Sequence, residues 1–293
     1  MSDLPLFFRI RQTFDRPRVE DRAAVVRREL ETILPPGSIA AGARIGVTVG
    51  SRGILGIDTM VRAAVDLLKD RGAQPFIIPA MGSHGGATAE GQTSLIAHYG
   101  VTEAAMGCPV RAEMETRSLG RTASGIEARM AEVAWRSDGV LLMNRIKPHT
   151  DYKGPIESGL TKIAAIGLGK YDGAREIHRH LFTAGLGAAI REVAEILMGT
   201  GRILGGLGIL ENAYHETARI AGAPAEALFE TEEQLLTEAR RLMGRLPLRE
   251  IDVLVCDRLG KNISGAGLDT NIIGRSIYGY TPGQPWLDDM PHI

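Results

Sequence analysis

Seven histidines are spread over this chain, and three of them, His149, His178 and His180, fall in one stretch, residues 144–180, beside four lysines, Lys147, Lys153, Lys162 and Lys170. Imidazole titrates near neutral pH and a desolvated amine is a nucleophile, so the stretch holds groups for proton transfer and for covalent attachment. Glycines at 154, 159, 167, 169 and 173 let its backbone turn tightly. Such a segment suits wrapping a ligand better than filling a core.

Each candidate has a plainer reading beside the chemical one. His84 sits in the glycine-rich loop 81–86 and either satisfies a turn or faces a ligand. His149 follows Pro148 in extended geometry, and two histidines converging on one cleft would form an acid/base pair. Lys162 lies between Gly159 and the apolar run 163–166, so its amine is either partly desolvated and nucleophilic or snorkels to the surface. Arg52 can grip a carboxylate with two parallel hydrogen bonds or simply brace its turn. His178 and His180 point to different faces of a short helix that begins near Gly173, so both cannot easily serve one site. Lys261 stands in a further polar loop, Gly260-Lys261-Asn262, and is a candidate substrate contact.

The surrounding pattern predicts the elements that position these loops. Residues 4–11 read as a short strand and 20–34 as a helix ended by Pro35-Pro36-Gly37. Strand 44–49 stops at Gly50-Ser51-Arg52-Gly53 and is followed by an amphipathic helix over 57–69; strand 75–80 runs into the His84 loop and a helix over 88–99, with Thr88 as N-cap. Alternating stretches between 109 and 130 suggest a hairpin turning near Gly120. Further strands are expected at 138–143, 203–210 and 251–255, and helices at 187–198 and 226–243. Strands alternating with helices imply an α/β fold with a mostly parallel, Rossmann-like sheet, in which ligands bind beyond the carboxyl ends of the strands. The loops at 51–52, 83–84, 144–149 and 260–262 each follow an expected strand, so all four should open onto one edge. Residues 1–245 are expected to form this domain and 246–293 the beginning of a second, incomplete α/β domain.

Composition narrows the function classes. With 44% hydrophobic and 24% charged residues and a formal net charge of -1, the chain reads as a soluble globular protein with no electrostatic case for nucleic acid or an anionic membrane. Cys108 and Cys256 lack the spacing of a zinc site or a disulfide framework, and no signal peptide or membrane span is visible, so a cytoplasmic protein is expected. There is no G-x-G-x-x-G, no phosphate-binding G-x-x-x-x-G-K-[ST] and no HExxH. A metal would have to rely on few protein ligands supplemented by another donor.

Taken together, residues 144–149, Ser158-Gly159-Leu160-Thr161-Lys162 and His178, with His84 and Ser51-Arg52, resemble the nickel-pincer-dependent lactate racemase family. In that family a histidine-bearing loop, an N-x-x-x-P-H-like element, a glycine-led lysine and a downstream histidine recur in this order. The resemblance spans residues 40–275, and Gly260–Gly265, G-K-N-I-S-G, is closest to the broader set of pincer-dependent isomerases. It implies that Lys162 carries a nickel-pincer nucleotide, a pyridinium mononucleotide binding nickel through sulfur and carbon, and that His178 is the protein nickel ligand. It further implies that His84 and His149 are the catalytic histidines and that Arg52 holds the substrate carboxylate. The implied activity is racemisation or epimerisation of a 2-hydroxy acid by hydride transfer, with cofactor-synthesis enzymes as partners and a possible homo-oligomer. The link 150–161 is longer and more charged than in lactate racemases, Lys153 offers a second amine, and Glu157 has no assigned role. A non-catalytic small-acid binding protein and a metal-free α/β hydrolase or lyase are the alternative readings.

Overall fold

The structure, a computed structural model, describes residues 7–180, 185–260 and 263–274. Its centre is a five-stranded sheet in the order β2 (Gln74–Pro79), β1 (Arg44–Val49), β5 (Gly139–Arg145), β6 (Ile203–Glu211), β7 (Thr217–Pro224). The first four run parallel and β7 pairs antiparallel with β6. The fold is therefore α/β with a mostly parallel sheet, as the alternation of strand and helix patterns implies.

Burial on both faces explains the near-continuous apolar strands. In β5, Val140 and Leu142 join the core on one face while Leu141 and Met143 join the core on the other, the period-two alternation of a strand covered on both sides. Helices α1 (Arg22–Ile33) and α2 (Ile57–Asp70) cover the second face. Helices α3 (Ala89–His98) and α4 (Glu103–Met106) lie beside β2 and α2, and Thr88 caps α3 by accepting from the Gly91 N–H at 3.1 Å. A separate hairpin, β3 (Thr116–Arg121) and β4 (Glu127–Ala131), leads through α5 (Glu132–Trp135) back to the sheet. The hairpin predicted near Gly120 exists, but that glycine sits at a bulge and the chain reverses over 122–126.

After β5 the chain enters a helical stretch that changes pitch twice. A single turn, α6 (Leu160–Lys162), becomes a π-helical segment, Ile163–Gly167, and then α7 (Lys170–Arg179). Such π segments concentrate at functional sites. Helices α8 (Leu186–Gly199) and α9 (Leu228–Leu242) close the layer, and α10 (Thr270–Ile273) packs over the loop after β5. The glycines of β6 admit this layer close to the sheet. A Cβ on Gly206 would lie 3.0 Å from Leu142 and Leu160, and one on Gly208 would lie 2.5 Å from Ile146.

Two expected strands do not form among the described residues. Residues 7–11 carry no regular secondary structure, and the rest of the expected 4–11 strand lies outside the described residues. Residues 251–255 also stay irregular, with Val253 and Val255 exposed. Alternating valines look like a strand locally, but a strand needs a neighbour to take its hydrogen bonds, and none of the described strands lies beside them. No described helix is long and apolar enough to cross a membrane.

Candidate active site

Three of the loops singled out from the pattern do leave the carboxyl ends of parallel strands: 50–53 after β1, 80–84 after β2 and 146–149 after β5. The first two are joined directly, because His84 Nδ1 lies 2.5 Å from Ser51 Oγ. The Ser51 carbonyl in turn accepts from Tyr99 Oη at 3.0 Å. Asn144, at the end of β5, donates from Nδ2 to the Gly159 carbonyl at 2.8 Å, and its Oδ1 lies beside Gly50. One asparagine thus links the loop after β1 to the turn that carries Lys162. The fourth loop differs: no strand precedes it, and Lys261 lies outside the described residues.

The loop 149–158 is held by Glu157, whose side chain is fully buried. One carboxylate oxygen accepts the His149 N–H at 2.5 Å; the other accepts the Gly154 N–H at 3.2 Å and Arg240 Nη2 at 2.7 Å. Tyr152 Oη donates to the Glu157 carbonyl at 2.7 Å. From α10, Thr270 Oγ1 donates to the Thr150 carbonyl at 2.6 Å and Asn271 Nδ2 to the His149 carbonyl at 3.1 Å. Lys153, the second candidate amine, bonds the His149 carbonyl at 2.6 Å and also contacts Asn271 Oδ1. Its bonds make it a brace of this loop.

His149 stacks on Tyr152, with ring centroids 4.3 Å apart, and Lys162 Nζ lies 6.0 Å from the same ring centroid. His149 Nδ1 accepts the Asp151 N–H at 3.0 Å, which places the proton of the neutral ring on Nε2. Burial, aided by the charges of Lys162, Lys153 and Lys147, pushes the His149 pKa down to about 3. The Lys162 amine is pushed down to about 8, chiefly by burial and further by Arg52 and Lys147, against the opposing pull of Asp151. Arg52, Lys147, His149 and Lys162 therefore share one electrostatic neighbourhood, rich in cations, in which Asp151 acts on Lys162 and Asp269 lies 3.6 Å from Lys147 Nζ. Replacing Lys162 with methionine removes the charge that depresses His149 most. The His149 titration, followed by NMR, should move up from about 3 while staying below 6.5, because the burial that dominates the shift remains.

Beneath Lys162 lies a group that the sequence reading left unassigned. Glu232 of α9 is fully buried, and its Oε2 accepts the Thr161 N–H at 2.8 Å and Thr161 Oγ1 at 2.6 Å, capping the turn that bears Lys162. Its Oε1 is buried and faces Gly159, where a Cβ would come within 1.9 Å of it. The glycine before the lysine is thus the space that the carboxyl group occupies. Burial raises the Glu232 pKa from 4.5 to about 7. A carboxyl raised on folding stabilises the fold fully below its unfolded pKa and loses that contribution as pH rises through its folded pKa. Between pH 4.5 and 7 this amounts to about 3 kcal/mol. Glu232→Gln, which keeps an acceptor for Thr161, should flatten the decline of melting temperature between pH 5 and 8; an unchanged decline would assign it to other groups.

His178 stands apart from this cluster. It is exposed in the last turn of α7, and Nδ1 donates to the Ala174 carbonyl at 2.6 Å, which leaves the Nε2 lone pair as its available donor to a metal. None of the contacts or charge interactions that define the Lys162 cluster reaches it. His180, the other histidine of this helix end, bonds the Glu176 carbonyl at 3.0 Å. Among the described residues no group of three or more His, Cys, Asp or Glu could hold a metal ion.

No family model and no curated protein matches the sequence. Among solved structures, the chain is similar to the lactate racemase apoprotein from Thermoanaerobacterium thermosaccharolyticum, with a TM-score of 0.52 and 14% sequence identity over 75% of this chain and 56% of that one. The shared fold is that of lactate racemase. At this identity the likeness concerns architecture alone, and the chain spans little more than half the length of the protein it matches.

Proposed function

We propose that the protein is an isomerase that inverts the carbinol centre of a 2-hydroxy acid, using a nickel-pincer nucleotide attached to Lys162. The observation that carries this reading is the partly buried Lys162 amine, lowered to about 8, within a cationic cluster that also receives His149 and Arg52 at the carboxyl edge of a racemase-like sheet. The lactate racemase fold and the order of the motif residues support the same reading.

The residues fit the group in chemistry. A lowered amine is an acylatable nucleophile at neutral pH, and His178 presents Nε2 with its other nitrogen fixed by a carbonyl. Lys162 would hold the cofactor and His178 would supply the single protein ligand to nickel. When bound, the group supplies an acceptor and donor for the hydrogen on the substrate carbinol carbon.

The chain's own residues supply the rest. Arg52 and Lys147 hold the substrate carboxylate in the cationic cluster, and Lys261 in the loop 260–262 is a further candidate for that contact. His149, neutral with its proton on Nε2, donates to the substrate oxygen. His84, whose Nδ1 meets a serine hydroxyl able to donate or accept, takes up the hydroxyl proton. Loss of that proton and of the carbinol hydrogen gives a planar 2-keto acid; return of the hydrogen to the opposite face inverts the centre.

The test is a panel of single-enantiomer 2-hydroxy acids, lactate among them, incubated with protein made alongside the cofactor-synthesis enzymes and resolved by chiral chromatography. Appearance of the opposite configuration at C2 is expected for at least one acid. Retention of configuration throughout the panel by nickel-loaded protein would count against the reading.

A further inference from the structure

Lys170 is a lysine with no exposed surface, in a stretch where the other lysines reach solvent at least in part. It opens α7 with φ +51, in the left-handed region that costs a non-glycine residue roughly 1 kcal/mol or more. Gly169, next to it, has φ -66 and needs no such freedom. The glycine stands one position away from the strain, so something about the lysine side chain must repay its placement.

The contacts of its amine show what that is. Lys170 Nζ donates to the Pro79 carbonyl at the end of β2, 2.8 Å away, and to Gln92 Oε1 at 3.1 Å. Gln92, also fully buried, passes the link on: its Nε2 donates to the Gly82 carbonyl at 2.9 Å and to the His84 carbonyl at 3.3 Å. The Gly82 N–H closes the loop onto the Gly167 carbonyl at 3.4 Å, and a Cβ on Gly167 would lie 2.7 Å from the Ala80 carbonyl oxygen. The His84 loop is thus stapled to the helical stretch that carries Lys162 by the Lys170 ammonium and the Gln92 amide, beside the backbone bond from Gly82 to Gly167. Burial lowers the Lys170 amine to about 8, which still leaves it mostly protonated, with three N–H donors, at neutral pH.

We propose that Lys170, acting through Gln92, is a positioning residue that sets where His84 stands relative to Lys162. The inference rests on the isomerase reading for its catalytic meaning, but the link itself is a property of the unloaded chain. A displacement of about 1 Å in a catalytic group costs roughly 100-fold in rate. Two variants divide the device. Lys170→Met removes the ammonium and keeps the volume, and exchanging a buried charge for an apolar group of similar size is often tolerated. Gln92→Glu keeps an acceptor for Lys170 but removes both donors to the His84 loop.

The experiment follows the Cε1–H signal of His84 in the labelled full chain, identified by its loss in His84→Gln, beside circular dichroism as a check of folding. Both variants are expected to stay folded and to shift or broaden that signal, and Gln92→Glu to do so even if Lys170→Met fails to fold. In loaded enzyme they should lower kcat by about 100-fold while KM changes far less. A His84 signal unchanged in folded Gln92→Glu overturns the proposal. Absence of isomerase activity in the wild type would strike at the functional reading alone, since the His84 signal still decides whether the clamp exists.

Discussion

Replacing Lys162 with alanine or methionine is expected to abolish isomerisation, by more than 1,000-fold if the lysine carries the reacting group, while the fold persists. The residues that follow it, Ile163, Ala164 and Ala165, are buried and hold the turn in place without the lysine side chain. The same position explains its reactivity. With a pKa of about 8 rather than 10.5, the neutral fraction at pH 7 rises from about 0.03% to about 10%, a gain of roughly 300-fold in the form that attacks a carbonyl. Labelling of the unloaded chain with an amine-reactive ester, read by peptide mass, should therefore place the Lys162 midpoint near pH 8. A Lys162 midpoint above 10 would remove the physical basis of the assignment.

The second large effect is expected at Gly159. An alanine there would put its Cβ 1.9 Å from Glu232 Oε1 and 3.0 Å from Ile146 Cγ1, and its backbone is extended, so the obstacle is space alone. Glu232 cannot retreat without giving up both bonds to Thr161, and α9 is packed behind it. Overpacking together with a lost buried cap should cost about 3 kcal/mol or more. Gly159→Ala should accordingly lower the melting temperature by several degrees and return the Lys162 labelling midpoint toward its ordinary value as the turn opens. Gly154→Ala is the matched control: its Cβ would meet nothing nearer than 3.6 Å, and both readouts should stay at wild-type values.

These two predictions also show what the sequence makes legible. Strands β1, β2 and β5 and the loops that follow them are visible because each is a short apolar run stopped by glycine or a polar residue. Those local signals survive in the structure. The glycine-led lysine is visible too, although the reason for the glycine is not: Glu232 lies 71 residues downstream of Thr161 on a helix whose other residues read as an ordinary amphipathic face. Glu157 is similar, since its partners His149, Gly154 and Arg240 become neighbours only when the loop closes against α9. Lys170 looks like any glycine-flanked lysine until Pro79 and Gln92 are placed around it. Strand β7 is set by its antiparallel pairing with β6, a long-range event that its own mixed composition does not announce. Conversely, residues 251–255 carry the local pattern of a strand without a partner to complete it.

The placement of His178 bears on the mechanism more than any other feature. Its Nε2 is available and its other nitrogen is fixed, yet its ring is not joined to the Lys162 cluster. Lys162 would carry the cofactor and His178 its nickel, so the two roles are separable. His178→Ala should therefore abolish nickel retention while leaving the Lys162 labelling midpoint near pH 8, a separation that a shared structural role would not produce.

The most direct test of the central claim is intact mass, peptide mapping and nickel content on protein produced together with the cofactor-synthesis enzymes. The account predicts a mass addition confined to the peptide bearing Lys162 and about one nickel per chain, the content of a single site. An unmodified Lys162 and nickel-free protein from a host that loads a known pincer enzyme in parallel would contradict it.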